Sequence, residues 1–110
     1  MKAATLSLWM NGQKVGYWTR LSTGKQELRY CEEWLNSPFG RPLSLSLPFS
    51  LEVRKGDVVR NYFENLLPEN ENVRNQLARR FYVPLGDTFA LLGAIGRDCV
   101  GAIQILKEDE

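Results

Sequence analysis

Residues 5–21 read TLSLWMNGQKVGYWTRL and have the residue pattern of two paired β-strands. Near its start Leu6 and Leu8 alternate with polar and aromatic positions, as expected for a strand with one buried face. The pair Asn11-Gly12 follows, and it accepts the positive φ angles that a tight hairpin turn requires. A second strand fits 14–21, and its predicted inner face comprises Val15, Tyr17, Thr19 and Leu21. The stretch therefore predicts an antiparallel hairpin.

A third strand extends this hairpin into a β-meander. It fits 26–30, with Leu28 and Tyr30 pointing inward. By the same alternation, Trp9 and Trp18 lie on the outward faces of their strands. Two interpretations of these tryptophans stay open: they cover a second packed face of the sheet, or they form an exposed aromatic patch that anchors a partner.

Two further strands are predicted outside the meander. Residues 42–48 read PLSLSLP, in which leucine alternates with serine, and the flanking prolines favour a short strand near a sheet edge. Residues 99–106 read CVGAIQIL and are apolar on both faces except at Gln104, which favours a strand inside the sheet rather than at its rim.

The second half of the sequence has the apolar period of helices. Asp57 is the predicted N-cap of a helix that runs to residue 67, and Asn70 is that of a helix over 71–81. The predicted apolar face of this second helix comprises Val73, Leu77 and Phe81. A third helix is expected after the next turn.

That third helix fits 87–95, with Asp87 as its cap and Gly96 as the residue just beyond its end. A short helical turn is also expected at 32–36. Strands come first, helices next and a returning strand last, an order that predicts an α+β fold. We expect a single domain over residues 1–110, an antiparallel meander or small barrel-like sheet with about three helices packed on it.

Composition argues against most enzyme classes. The chain has no histidine, which removes Ser-His-Asp and Cys-His pairs, the HExxH zinc site and the usual general base near neutral pH. It has 14 Lys and Arg against 13 Asp and Glu, so no basic excess predicts direct contact with nucleic acid. Cys31 and Cys99 lack metal-ligand spacing. We expect a binding protein without catalysis, cofactor or metal.

The sequence also predicts a cytoplasmic location. No apolar run approaches the ~20 residues that span a membrane, and the N-terminus has no long apolar signal-peptide core. Two free thiols in a reducing compartment are favoured over a disulfide between Cys31 and Cys99. No contact with a membrane is expected.

Three groups of residues have a functional interpretation, but a structural one is favoured for each. The glycine-rich segment 93–101 comes in helix-then-strand order, the reverse of a phosphate-binding loop. Glu32-Glu33 and the acids Glu64, Glu69 and Glu71 are interpreted as solvated, because a catalytic pair needs a desolvated member. Basic residues are diluted by interleaved acids; they are Arg54, Lys55, Arg60, Arg74, Arg79 and Arg80.

Several blocks of the sequence occur in the order found in one family. They are WMNGQKVG (9–16), YCEEWL (30–35), RPLSLSLP (41–48), YFENLLPE (62–69) and LLGAIGRDCVGA (91–102). Together they resemble the N-terminal subdomain of HipA, the kinase toxin of bacterial toxin–antitoxin modules, over nearly the whole chain. The catalytic, ATP-binding and magnesium-binding residues of the HipA kinase core have no matching positions here.

A free-standing copy of this subdomain resembles HipS, the small subunit of HipBST modules. That resemblance implies an antitoxin that binds and restrains a HipT-like kinase toxin, in a ternary complex with a HipB-like helix-turn-helix protein. The expected kinase-facing residues are Tyr62, Phe63, Glu64, Asn65, Leu67, Pro68 and Glu69, with Tyr62 or Phe63 as an aromatic inserted into the kinase cleft. The alternative is the structural N-terminal subdomain of a full-length HipA, which serves scaffolding or self-association and does not inhibit.

Overall fold

The computed structural model describes residues 3–108, which form a five-stranded antiparallel sheet with helices packed on it. The strands are β1 (Ala4–Met10), β2 (Gln13–Arg20), β3 (Gln26–Tyr30), β4 (Arg54–Lys55) and β5 (Gln104–Lys107), in the order β4-β3-β2-β1-β5. The helices are α1 (Glu32–Leu35), α2 (Asp57–Glu64), α3 (Glu71–Arg80) and α4 (Thr88–Ile95), followed by a 3₁₀ turn at Gly96–Asp98. The predicted α+β class and the antiparallel meander are confirmed.

A β-bulge in the first hairpin decides which side chains of β2 are buried. The pairing register shifts between Leu8 and Trp9, which leaves Val15 without a partner in β1. An extra residue in one strand displaces the alternation of its side chains by one position. Val15 and Trp18 therefore both reach the core, each with an exposure of 0%, whereas Tyr17 stays half-buried. The inner face predicted for this strand is wrong from Tyr17 onward.

Trp9 and Trp18 consequently lie on opposite faces of the sheet. The indole N–H of Trp18 donates to the Gln26 Oε1 atom at 3.0 Å inside the core. Trp9 is half-buried on the other face, where the Lys14 ammonium lies 5.4 Å from its ring centroid. The expectation that both tryptophans point outward is wrong for Trp18, and the two form no common aromatic patch.

The leucine–serine alternation forms a turn and not the predicted strand. Leu45 is 97% exposed. The hydroxyls of Ser44 and Ser46 bond to each other at 3.0 Å, and such local bonds compete with a sheet ladder. The Tyr30 hydroxyl fixes the turn from the core by donating to the Leu47 carbonyl at 2.6 Å.

The final strand is shorter than predicted and lies at an edge of the sheet, beside β1. Residues 99–103 form a turn in which Cys99 and Gly101 have φ angles of 78° and 61°. Ile103 and Ile105 are buried, at 1% and 0% exposure. The segment is apolar because these two side chains enter the core, and its predicted place inside the sheet is wrong.

Polar caps begin α3 and α4 as predicted. The side chain of Asn70 accepts a backbone N–H of α3 at 2.8 Å, and that of Asp87 accepts one of α4 at 2.9 Å. The start of α2 differs, because Gly56 (φ 85°) is its N-cap and Asp57 is its first helical residue. This helix also ends at Glu64, earlier than predicted.

Packing corrects two further expectations about the helices. Gly96 has a φ of −73°, so it does not end α4 with a left-handed turn. A Cβ atom there would lie 2.6 Å from the Cβ of Ile105, and glycine is required for this close approach. The apolar face predicted for α3 is largely outside the core: Val73 and Phe81 are 39% and 40% exposed, whereas Ala78 is buried.

Candidate partner-binding surface

The predicted partner-binding residues lie where α2 ends and the chain turns into α3; we call residues 62–69 the α2–α3 corner. The structure divides them by exposure. Phe63 and Leu67 are buried, with 0% and 5% of their surface exposed. The half-buried members are Tyr62 and Glu64, and the exposed members are Asn65, Pro68 and Glu69.

Phe63 belongs to the aromatic core of the domain. Its ring stacks on that of Trp18, with centroids 3.7 Å apart and planes at 8°. Phe89 of α4 meets the same indole edge-on at 4.6 Å. Such contacts contribute about 0.5–1.5 kcal/mol beyond the burial of the rings. The hypothesis of an inserted aromatic therefore does not hold for Phe63, whose ring holds α2 and α4 on the sheet.

Tyr62 lies on the rim of this core. Its ring packs edge-on against Phe63 at a centroid distance of 5.0 Å. Burial raises the pKa of its hydroxyl to about 12, because the phenolate loses its hydration. Only the accessible edge of this ring is available to a partner.

Arg74 fixes the shape of the α2–α3 corner from α3. Its Nε–H donates to the Pro68 carbonyl, and its Nη2 donates to the Glu64 carbonyl at 3.3 Å. The last carbonyls of a helix have no partner within the helix, and a cation beside them also offsets the helix dipole. Asn70 closes the same turn by capping α3. The exposed Pro68 and Glu69 are therefore presented on a braced turn.

A cleft of about 530 Å³ separates this corner from the loop that precedes α4. Its floor includes the buried side chains of Leu67 and Leu91. The charged residues that line it are Glu64, Glu69, Glu71, Arg74 and Asp87. An apolar floor with a mostly acidic rim suits a basic or amphipathic side chain of a partner.

The remaining sequence candidates have structural positions. The glycine-rich segment 93–101 is divided between α4, the 3₁₀ turn and the turn before β5. Within residues 3–108 no group of three His, Cys, Asp or Glu side chains could hold a metal ion. Cys31 is buried, Cys99 is exposed, and both are free thiols. No helix of the described chain is long and apolar enough to cross a membrane.

Comparison with known proteins identifies the family. A family model described as the HipA N-terminal domain matches residues 6–106. The chain belongs to this family. Its relatives include the protein Y4mE of Sinorhizobium fredii, 37% identical over 110 residues, and the serine/threonine-protein kinase toxin HipA of Shewanella oneidensis, 32% identical over 108 residues. This HipA N-terminal domain is thus related to kinase toxins of toxin–antitoxin systems.

A solved structure shares the fold. A chain in the complex of Shewanella oneidensis HipA, HipB and operator DNA superposes with a TM-score of 0.78, at 30% identity over 96% of this chain. This HipA N-terminal domain spans about a quarter of its relatives: 26% of Y4mE, 24% of the Shewanella kinase toxin and 24% of the chain in the complex.

Sequence reasoning about this HipA N-terminal domain missed two parts of the surface, Arg74 and the loop 81–86. Arg74 has the pattern of an ordinary exposed helix cation, and its bonds across the corner depend on the angle between two helices. The loop did carry a signal, because Pro84 and Gly86 are turn formers and its other residues, 81–83 and Leu85, are aromatic or aliphatic. In the structure Tyr82 is 95% exposed.

Proposed function

We propose that this HipA N-terminal domain is a non-catalytic, antitoxin-type subunit that binds and restrains a HipT- or HipA-like serine/threonine kinase toxin in the bacterial cytoplasm. Similarity to the HipA kinase toxin supports the choice of partner. The absence of histidine supports a binding rather than a catalytic function, and the proposal requires no cofactor. The observation that carries the proposal is the α2–α3 corner, where exposed residues lie on a turn that Arg74 braces.

A braced corner is well suited to binding. Docking orders flexible side chains and loops at a cost in free energy, and a surface that is already ordered avoids part of it. Asn65, Pro68 and Glu69 supply accessible polar and apolar contacts. Glu64 borders the cleft, where the Thr88 hydroxyl donates to its Oε1 atom at 3.4 Å. In this arrangement Phe63 supports the surface from within and does not touch the kinase.

Restraint follows from the position of the domain on the kinase. In this proposal the α2–α3 corner faces the nucleotide-binding lobe of the kinase and obstructs either the entry of the substrate or the closure of that lobe. A specific interface buries about 1,600 Å² in total, or about 800 Å² on each partner. The accessible surface of the chain is 6908 Å², so a typical interface would use a substantial part of one face.

A HipB-like helix-turn-helix protein completes the proposed assembly and supplies the DNA contacts. The solved Shewanella complex, which holds HipA, HipB and operator DNA, supports this composition. The balance of 14 basic against 13 acidic residues supports placing the phosphate contacts on the partner rather than on this chain.

An alternative function is favoured by an apolar groove on another side of the domain. The groove has a volume of about 650 Å³, lies between β1, α4 and the end of α3, and is lined in part by Leu6, Phe81, Val83 and Ala94. The relatives are about four times as long as this chain, and the remainder of such a protein could cover the groove. The domain would then buttress a full-length HipA kinase or mediate self-association, without inhibition.

One experiment separates the two functions. The purified chain is mixed with a purified HipT- or HipA-like kinase toxin, complex formation is followed by size-exclusion chromatography, and phosphorylation of the kinase's substrate is assayed. The antitoxin function predicts a stable complex with suppressed phosphorylation. Binding without suppression would favour the structural alternative, and failure to form a complex would refute the antitoxin function.

A variant pair tests the surface within the same experiment. Glu69→Arg reverses an exposed charge at the α2–α3 corner, and Glu32→Arg makes the same change on α1. We expect Glu69→Arg to restore phosphorylation and Glu32→Arg to inhibit like the unmodified chain. Equal inhibition by both variants would place the kinase contact elsewhere on the domain.

A further inference from the structure

The end of α3 forms a motif that usually contains glycine, and here Tyr82 takes that position. The N–H of Tyr82 donates to the Arg79 carbonyl at 3.3 Å, and the N–H of Val83 donates to the Ala78 carbonyl at 2.9 Å. These two bonds form a Schellman motif, whose residue after the helix cap takes a left-handed backbone conformation. The φ angle of Tyr82 is accordingly 59°.

A tyrosine is poorly suited to this backbone. The left-handed region brings Cβ close to the following carbonyl oxygen, and glycine, asparagine and aspartate are the residues that visit it routinely. Asn11, in the first hairpin turn, has a φ of 50° and fits that rule. Tyr82 is 95% exposed, and among the described residues its ring makes no ring–ring or cation–π contact. The fold gains no packing in return for this strain.

The residues around Tyr82 form an apolar ridge with a positive flank. Phe81 and Leu85 are 40% and 53% exposed. Arg79 and Arg80 are exposed on the last turn of α3, and within residues 3–108 neither forms an ion pair. Exposed apolar groups beside unpaired cations are typical of a surface that a partner covers.

We infer that the ridge 79–85 is a second contact surface for the kinase toxin, with Tyr82 as its anchor in an apolar pocket rimmed by carboxylates. The acidic rim follows from charge complementarity with Arg79 and Arg80. The apolar pocket follows from the exposed ring and from Leu85 beside it. The inference rests on the proposed function, because the partner is the same kinase.

Continuity with the α2–α3 corner supports a single partner. Leu85 and Pro84 form one wall of the cleft whose other wall is that corner, so one protein surface can cover both. A nucleic acid is a weaker candidate for the same site. The net charge of the chain is +1, and the ridge offers aliphatic as well as aromatic groups where stacked bases would need aromatic platforms.

Tyr82→Gly tests the inference because stability and binding should change in opposite directions. Glycine relieves the left-handed strain, and we expect the melting temperature to rise by about 3–6 °C. Loss of the anchor should weaken kinase binding about 30-fold or more, as for an aromatic hot spot. Tyr82→Asn, which also tolerates this backbone, should lose binding to a similar extent.

One control and one further variant complete the test, and all affinities for the kinase are measured by isothermal titration calorimetry. Phe39 is another exposed aromatic, 67% exposed, and Phe39→Ala should bind like the unmodified chain. The double variant Arg79→Glu/Arg80→Glu should weaken binding and reduce its salt dependence. An unchanged affinity in this double variant would overturn the acidic rim.

The outcomes are distinguishable from those of the proposed function. If the unmodified chain binds the kinase and Tyr82→Gly binds within about twofold of it, the anchor is refuted and the antitoxin function stands. If the unmodified chain does not bind the kinase, both are refuted. If a labelled single-stranded DNA oligonucleotide binds the unmodified chain and Tyr82→Gly abolishes that binding alone, the ridge contacts nucleic acid and the kinase assignment is overturned.

Discussion

Replacing Phe63 with alanine separates a structural role of this residue from a binding role. The ring has an exposure of 0% and stacks on Trp18 at 3.7 Å. Its removal opens a cavity between α2 and the sheet and leaves Trp18 with Phe89 as its aromatic neighbour. Phe-to-Ala changes in a protein core cost about 3–5 kcal/mol, a range that includes the lost contacts and the cavity.

The size of the domain sets the scale of this effect. At about 0.05–0.15 kcal/mol per residue, a chain of 110 residues has a free energy of unfolding of about 5–15 kcal/mol. A loss of about 4 kcal/mol removes a large part of it and lowers the melting temperature by about 15 °C. Phe63→Leu fills more of the space and should cost less than Phe63→Ala. Asn65→Ala, at an exposed position of the same corner, should stay within about 0.5 kcal/mol of the unmodified chain.

Urea unfolding followed by far-ultraviolet circular dichroism measures these free energies. Kinase binding is then measured at a temperature where Phe63→Ala is still folded. We expect its affinity to fall only by the fraction of unfolded molecules. A Phe63→Ala variant that keeps its free energy of unfolding within about 0.5 kcal/mol but loses kinase binding would refute the core assignment.

Three further predictions concern α4 and the rim of the core. Gly93→Ala should raise the free energy of unfolding by about 0.5–1 kcal/mol, because its Cβ would meet Leu6 at an ordinary 3.4 Å. Gly96→Ala should lower the free energy of unfolding by about 1–3 kcal/mol, because its Cβ would clash with Ile105. Urea titrations in which both variants change the free energy in the same direction would contradict the packing of this helix. Asp87 caps α4 and accepts a hydrogen bond from Arg20 Nη1 at 2.7 Å. Asp87→Ala should therefore lower the free energy of unfolding by about 1–2 kcal/mol, and Asp87→Asn, which keeps the cap, should lower it less. Equal losses of stability in thermal melts would assign the effect to the ion pair. The pKa of Tyr62 rises from 10.0 to about 12 in the folded chain, so its contribution to stability is complete below pH 10 and is lost as the pH rises towards 12. In Tyr62→Phe the free energy of unfolding should fall less over this pH range. An identical fall in the variant and the unmodified chain would exclude Tyr62 as its source.

The meander and the helix starts could be predicted because they depend on local patterns. The bounds of β3 match the prediction, Gln26–Tyr30, since alternation along one strand is enough to place it. The caps Asn70 and Asp87 follow from the preference of their side chains for a free backbone N–H. The edge position of β5 could not be predicted, because it depends on which strands pair with it across the sheet.

For the partner-binding surface, the main error is to include Phe63 among the kinase-facing residues, and the unpredicted bulge in β2 explains it. Strict alternation along β2 places Trp18 on the outward face, because it does not include the shift of one position that the bulge at Val15 introduces. With Trp18 outward, Phe63 has no stacking partner and can be taken for an exposed ring. The exposure of Asn65, Pro68 and Glu69 agrees with expectation, because a turn that contains proline and polar residues stays at the surface.

The pairing of β5 with β1 determines when the domain can fold on the ribosome. Within this domain Leu6 and Leu8 are the first core residues to be synthesised, whereas Ile103, Ile105 and the strand that covers the edge of β1 are the last. At about 5–20 residues per second, the nascent chain waits for several seconds or longer with this edge uncovered. An uncovered edge with apolar side chains invites pairing with other chains, so chaperone protection should matter most during this interval. The pairing of β5 with β1 is therefore the last contact between strands that the nascent domain can form.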